Sequence, residues 1–125
     1  MMRRVMPFPV ELRVRDSAGS LQELSRPLRP GPDGTLVVTA KPESRFYWTY
    51  GVVQQGSGQP VVRLSDPQLF QGTADIREAA NLKGPGTIWI AISAQPFSTE
   101  KILFDGFSFV SQDEKIRIMP FFAVF

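Results

Sequence analysis

The side chains best suited to chemistry in this 125-residue sequence are carboxylates, because the chain contains neither histidine nor cysteine. This composition excludes a thiol nucleophile, a histidine general base, a Ser-His-Asp triad and a Cys/His zinc site. Asp66, Asp75 and Asp105 lie in or beside predicted loops. No carboxylates show the DxDxDG spacing of a calcium loop, or pair on one face of a strand as a glycosidase requires. We therefore expect a protein that is not an enzyme and that holds no cofactor or metal.

Aromatic side chains offer a second kind of chemistry, which is the recognition of a partner. In the run FYWTY, alternation places Phe46, Trp48 and Tyr50 on one face of a strand. We expect that face to fill the core, which leaves Tyr47 and its neighbour Arg45 free to form a surface patch. Aromatic and arginine side chains are common interface anchors, so the sequence predicts partner binding at these two residues.

The run KIRIMPFFAVF, residues 115–125, is the other candidate for partner binding. Its alternation places one set of side chains on each face: Ile116, Ile118, Phe122 and Val124 on one, and Met119, Phe121 and Phe125 on the other. We expect this strand to dock in its own sheet, with Pro120 at an edge or a bulge. The alternative is self-association, in which another chain extends an exposed edge. The predicted partner-binding residues are therefore Arg45, Tyr47, Phe121 and Phe125.

The charge of the chain argues against nucleic acid as its partner. The net charge is only +2, and the isoelectric point of about 9.3 is high because no histidine or cysteine titrates near neutral pH. Basic residues are scattered, with no run longer than Arg3-Arg4, so no stripe that could follow a phosphate backbone is predicted.

The beginning of the sequence, MMRRVMPFPVELRVR, combines positive charge with apolar residues but does not read as a secretion signal. Pro7, Pro9 and Glu11 interrupt the apolar part, and no small-residue cleavage site follows. No segment approaches the roughly 18 apolar residues of a membrane span. We expect no membrane partner and a soluble, cytoplasmic protein, with one domain over residues 1–125 and a flexible arm at residues 1–9.

The elements that must position these residues are mostly strands. Alternating or β-branched runs bounded by Gly, Pro and Asp predict strands at residues 10–15, 21–24, 35–40, 45–54, 61–65, 101–104, 107–110 and 115–125. Residues 73–83 form the single helical candidate, although an irregular loop leading into a strand near Ile76 is equally compatible with them. The pattern favours an all-β fold, an antiparallel β-sandwich (Ig-like or jelly-roll-like), with at most one short helix near residues 73–83.

The most apolar run, GPGTIWIAISAQPFS at residues 84–98, predicts a central strand. The side chains of Ile88, Ile90 and Ile92 point to one face of the strand. Those of Trp89, Ala91 and Ser93 point to the other, so neither face is strongly polar. A strand that is covered on both faces shows this pattern, and the flanking prolines end it. We interpret the run as core and not as a functional groove.

Three stretches taken together resemble a known family: ELRVRDSAGSLQEL, PLRPGPDGTLVVTAKPESRFYWTYGVVQQGSGQPVVRLSDP and GPGTIWIAISAQPF. Their order is similar to that of the β-rich domain of unknown function found C-terminal to bacterial zinc-finger anti-sigma factors and beside caspase-like peptidases. The resemblance covers residues 11–97 and implies a sensory or protein-interaction module without catalytic activity, usually next to an effector domain. No zinc-finger helix bundle precedes it here, and residues 98–125 fall outside the pattern.

The sequence thus predicts a non-catalytic protein-interaction or sensory module that binds a partner protein or its own copy. One alternative is a small-ligand or carbohydrate-binding module, in which Trp48, Tyr50 or Trp89 forms an exposed stacking surface. Another is a structural subunit of a phage or secretion assembly, in which residues 1–9 or 121–125 exchange between copies.

Overall fold

The computed structural model describes residues 11–30, 34–41, 44–56, 64–70, 72–104 and 109–125. These residues form ten strands: β1 (Leu12–Asp16), β2 (Leu21–Gln22), β3 (Leu36–Ala40), β4 (Phe46–Gln54), β5 (Gln68–Phe70), β6 (Thr73–Asp75), β7 (Gly86–Ser93), β8 (Ile102–Phe104), β9 (Phe109–Ser111) and β10 (Met119–Val124). They also include helix α1 (Ile76–Ala79) and one turn of 3-10 helix (Thr99–Lys101). In the described part of the chain, neither helix has the length or apolar character needed to cross a bilayer.

The strands form two four-stranded antiparallel sheets and a separate two-stranded one. Sheet A has the order β2-β1-β3-β6, sheet B the order β10-β7-β4-β5, and β8 pairs with β9 as a hairpin. The orders β1-β3-β6 and β5-β4-β7-β10 correspond to the A-B-E and C′-C-F-G strands of an Ig-like sandwich. The predicted all-β antiparallel fold with one short helix near residues 73–83 is confirmed, and the strand order favours its Ig-like form.

One hydrophobic cluster joins the inner faces of sheets A and B. Sheet A contributes Val14, Leu36 and Val38, and sheet B contributes Phe46, Trp48, Tyr50, Ile88, Ile90, Ile92 and Phe121. The Trp48 ring meets the Tyr50 and Phe70 rings edge-on, with centroids 4.5 and 4.8 Å away. Burying each such side chain stabilises the fold by about 1.5–3 kcal/mol. The expectation that alternate aromatic residues of β4 fill the core is confirmed.

Strand β7 is covered on both faces, as its sequence predicts. Its isoleucines lie in the main core, whereas Ala91 and Trp89 belong to a second hydrophobic cluster on the opposite face. Strands β8 and β9, which lie between β7 and β10 in the sequence, provide the cover because they pack on the outer face of sheet B. The Trp89 ring lies between Phe104 and Phe122, at centroid distances of 4.7 and 4.4 Å.

The last strand docks in its own sheet, as expected. β10 pairs with β7 along its whole length and forms an edge of sheet B, where Pro120 has no N–H to donate. Leu28 closes part of that edge: its N–H donates to the Phe122 carbonyl and its carbonyl accepts from the Val124 N–H, both at 2.9 Å. The chain thereby covers some of the backbone groups that another strand would need.

Some elements begin or end elsewhere than the sequence predicts. Residues 73–83 hold a strand, β6, before the helix, and the Asp75 carboxylate caps α1 by accepting from the Glu78 N–H at 2.9 Å. The last strand begins at Met119, after a turn in which the Ile116 N–H donates to the Asp113 carbonyl. The predicted arm at residues 1–9, residues 61–63 of one predicted strand and the Asp105-Gly106 turn lie outside the described residues.

Candidate protein-interaction surface

Tyr47 lies half-buried on the outer face of sheet B, the face away from the main core. Its cross-strand partners are Ser93 of β7 and Leu69 of β5, and the Leu69 side chain is 48% exposed. Arg45 precedes β4 and is exposed. Because side chains alternate along a strand, Arg45 and Tyr47 point away from the face on which Phe46 is buried. We call Arg45, Tyr47 and Leu69 the β4–β5 patch.

The structure does not place the other two predicted partner-binding residues in this patch. Phe121 is 4% exposed and fills part of the main core, so a partner cannot reach its side chain in the folded chain. Phe125 packs against that core near the far end of sheet B, where it exchanges two backbone hydrogen bonds with Gly86, of 3.1 and 2.8 Å. The Arg77 guanidinium lies 5.4 Å from the centre of its ring.

The β8–β9 hairpin has one buried and one exposed face. Ile102 and Phe109 pack in the second cluster on sheet B. Leu103 and Val110 face each other across the two strands, and they are 46% and 43% exposed. They therefore form an apolar pair on the side of the hairpin that faces away from sheet B.

Leu69, Leu103 and Val110 are exposed apolar residues that the sequence pattern did not single out. Consecutive apolar residues in β8 and β9 signal that both faces of the hairpin carry apolar side chains. Within the described residues four large apolar side chains are well exposed, and three of them are on the sheet B side of the molecule. The fourth, Leu21, is on β2 of sheet A. We call Arg45, Tyr47, Leu69, Leu103 and Val110 the sheet B surface.

The rings considered for ligand stacking do not form an open platform. Trp48 and Tyr50 are buried in the main core, and Trp89 is held between two phenylalanine rings. A carbohydrate-binding face needs exposed rings, so these three do not supply one.

The carboxylates of the described residues serve mainly as local structural contacts. The Asp16 side chain accepts from the N–H groups of Ala18 and Ser20, at 3.0 and 2.9 Å, and Asp75 caps α1. Asp66 is exposed, and Asp105 lies outside the described residues. No group of three or more carboxylates suited to a metal ion occurs in the ranges that the structure describes.

Two described side chains have displaced pKa values, and both shifts lead away from neutral pH. Burial raises the pKa of Tyr50 above its ordinary value of 10.0. Lys41, whose Nζ lies 2.7 Å from the Glu11 carboxylate, lowers the pKa of Glu11 through its hydrogen bond and its charge. Neither group changes its charge near pH 7.

We expect the free energy of unfolding to stay constant between about pH 6 and pH 8, because the chain has no histidine or cysteine. The folded state holds the Tyr50 proton more tightly than the unfolded state does. Its contribution is therefore present below about pH 10 and is lost as the pH rises through the folded pKa. The small Glu11 contribution has the opposite sense: it is present above the ordinary value of 4.5 and is lost as the pH falls through the lowered pKa.

Urea unfolding at intervals from about pH 3 to pH 11 measures this dependence. Tyr50→Phe should remove part of the alkaline decline. A steep change between pH 6 and pH 8 would contradict the expectation.

No protein-family model, curated protein or solved structure matches this chain. The resemblance to the β-rich domain of bacterial anti-sigma factors therefore stays a prediction, and function is argued from the surface of this chain itself.

Proposed function

We propose that this chain is a non-catalytic protein-interaction module, which binds a partner protein or a second copy of itself through the sheet B surface. The observation that supports this proposal is the grouping of Leu69, Leu103 and Val110 on one side of the molecule. Single exposed aliphatic residues are ordinary. Here Leu103 and Val110 face each other across the hairpin, and Leu69 lies beside Tyr47 on the same side of the molecule. Tyr47 and Arg45 add the residue types that most often anchor interfaces.

The sheet B surface has two parts, one on β4 and β5 and one on the β8–β9 hairpin. Both are fixed in position by strand pairing or core packing, which favours binding. Tyr47 and Leu69 are fixed by pairing between β4 and β5, and β4 lies in the middle of sheet B. Leu103 and Val110 are fixed by the second hydrophobic cluster beneath the hairpin. A surface that is already ordered loses little conformational entropy when a partner binds.

Pairing through the edge of β10 is the weaker route to the same function. Pro120 lacks an N–H, and Leu28 already occupies the Phe122 carbonyl and the Val124 N–H. Both features reduce the hydrogen bonds that an incoming strand could form. A partner that contacts side chains of the sheet B surface does not need these backbone groups of β10.

The test compares charge substitutions on the two sides of the sandwich. Leu69→Lys and Leu103→Lys place charges in the proposed interface, whereas Leu21→Lys, at a side chain that is 59% exposed on sheet A, is the matched control. We expect the first two to weaken binding by about 2 kcal/mol each, which is the scale of an interface hot spot. The control, which lies on the opposite sheet, should bind the partner of the sheet B surface like the wild type.

Light scattering over a concentration series first decides whether the partner is a second copy. If the wild type associates, the two interface variants should be monomeric and the control should not be. If it is monomeric, chemical cross-linking in source-cell extract should identify a protein that the wild type and Leu21→Lys retain and the interface variants lose. The proposal would be contradicted if the wild type, the two interface variants and the control all associated equally, or if all four retained the same cross-linked protein.

A further inference from the structure

The outer face of sheet A carries two arginine side chains in a regular arrangement. Val14 of β1 is buried, so its neighbours Arg13 and Arg15 point away from the core, and both are exposed. Their positions on one strand, two residues apart, separate their Cα atoms by roughly 7 Å. The strand pairing thus presents two positive charges side by side on the face that the main core does not cover.

The cross-strand partners of these arginines are uncharged, although Glu11 lies two residues before Arg13 on the same face. Arg13 is opposite Thr39 of β3, and Thr39 is opposite Thr73 of β6. A second row is formed by Leu21, Arg15, Val37 and Asp75 on four adjacent strands, with Val37 between Arg15 and the carboxylate. We call Arg13, Arg15, Leu21, Val37, Thr39 and Thr73 the sheet A face.

The carboxylates near the sheet A face already have other partners. Glu11 pairs with Lys41 at 2.7 Å, although it is close enough to Arg13 for the arginine charge to help lower its pKa. Asp16 accepts two backbone N–H groups in the turn after β1, and Asp75 caps α1. Within the described residues neither Arg13 nor Arg15 forms an ion pair. Their guanidinium groups are therefore left to bind an external anion.

We propose that the sheet A face binds an extended, acidic segment of another protein. Such a segment places carboxylates at every second residue, with the same spacing as Arg13 and Arg15. Guanidinium groups bind carboxylates through two parallel hydrogen bonds, and Leu21 and Val37 suit apolar side chains between the acids. Two charges are too few for a membrane surface, which takes clusters of four to eight, or for a stripe along nucleic acid. This inference concerns the face opposite the sheet B surface and does not depend on the function proposed there.

The test uses a synthetic peptide of twelve residues in which Glu and Val alternate, added to the full chain labelled with 15N. At about 0.01 M salt, where charges are weakly screened, we expect chemical-shift changes in β1, β3 and β6. Arg13→Glu/Arg15→Glu should weaken binding about tenfold or more, because two attractions become repulsions. The same peptide with Gln in place of Glu should cause no changes.

Lys83→Glu/Lys115→Glu is the matched control, because it changes the net charge equally at exposed residues of the loops before β7 and before β10, and neither lysine forms an ion pair within the described residues. It should bind the acidic peptide like the wild type. Equal weakening by both double variants would overturn the proposal, since net charge alone would then explain binding. The proposal would also be overturned if the peptide caused no chemical-shift changes, or changes only on the sheet B surface. The same holds if this face bound anionic vesicles or duplex DNA but not the peptide.

Discussion

Ending the chain at Ile118, so that β10 is removed, is expected to abolish cooperative folding. β10 contributes Phe121 and Ala123 to the main core and pairs with β7 along all six of its residues. Loss of one buried phenylalanine side chain alone costs about 3–5 kcal/mol, while domains are stable by only about 5–15 kcal/mol in total. The lost backbone pairing and the exposure of β7 add to that loss. Circular dichroism in urea should show no sigmoidal transition for the shortened chain.

Phe125→Ala is the control, since it keeps β10 and removes only the half-buried ring beside Arg77. It should still unfold cooperatively, with a loss of about 1–2 kcal/mol. A shortened chain that folds would show that β10 is dispensable for the core. If the wild type were an oligomer and the folded, shortened chain a monomer, the strand would be an assembly edge and the sheet B surface would lose its role.

Alternation was sufficient to predict which face of a long strand is buried. In β4, large residues at every second position predict a core face, and the structure places Phe46, Trp48 and Tyr50 there. In β7, apolar residues at every position predict cover on both sides, which the main core and the hairpin supply. Period-2 patterns report burial directly because each side chain of a strand can face only one of two environments.

Short strands carry too few residues for the same inference, and this is why part of the surface was missed. In β5, Leu69 and Phe70 are adjacent and similar in polarity, yet Leu69 is exposed and Phe70 is buried. Only pairing with β4 decides which of them faces the core. Thr49 shows the same limit for polar residues: it is fully buried because its hydroxyl bonds to Ser65, a contact made only when distant segments meet.

The two faces of the sandwich differ in chemistry, which bears on how the module would act. The sheet B surface is mainly aliphatic, whereas the sheet A face combines free guanidinium groups with threonine and aliphatic side chains. Aliphatic surfaces gain binding affinity because apolar area is removed from water when a partner binds. Exposed charges mainly affect the association rate and its salt dependence. If both proposed surfaces bind, the chain can contact two different partners at once, because the two faces lie on opposite sides of the main core.

Trp89→Ala is expected to release the β8–β9 hairpin from sheet B while the sandwich stays folded. The indole is packed between Phe104 and Phe122, and it forms much of the second cluster but none of the main core. Removing a packed tryptophan costs about 3 kcal/mol or more. Hydrogen exchange at the amides of β8 and β9 should therefore accelerate by a factor on the order of 100, while the amides of β1 and β3 keep their protection.

The two tryptophans of the chain provide a matched pair of reporters for this prediction. In Trp48→Phe the remaining indole, Trp89, reports on the second cluster, and its emission should change at a lower urea concentration than the circular dichroism does. Uniform loss of protection in Trp89→Ala, including β1 and β3, would mean that hairpin and sandwich unfold as one unit. If the hairpin opens alone, Trp89→Ala should weaken partner binding as Leu103→Lys does, because it displaces Leu103 and Val110 together and leaves Tyr47 and Leu69 in place.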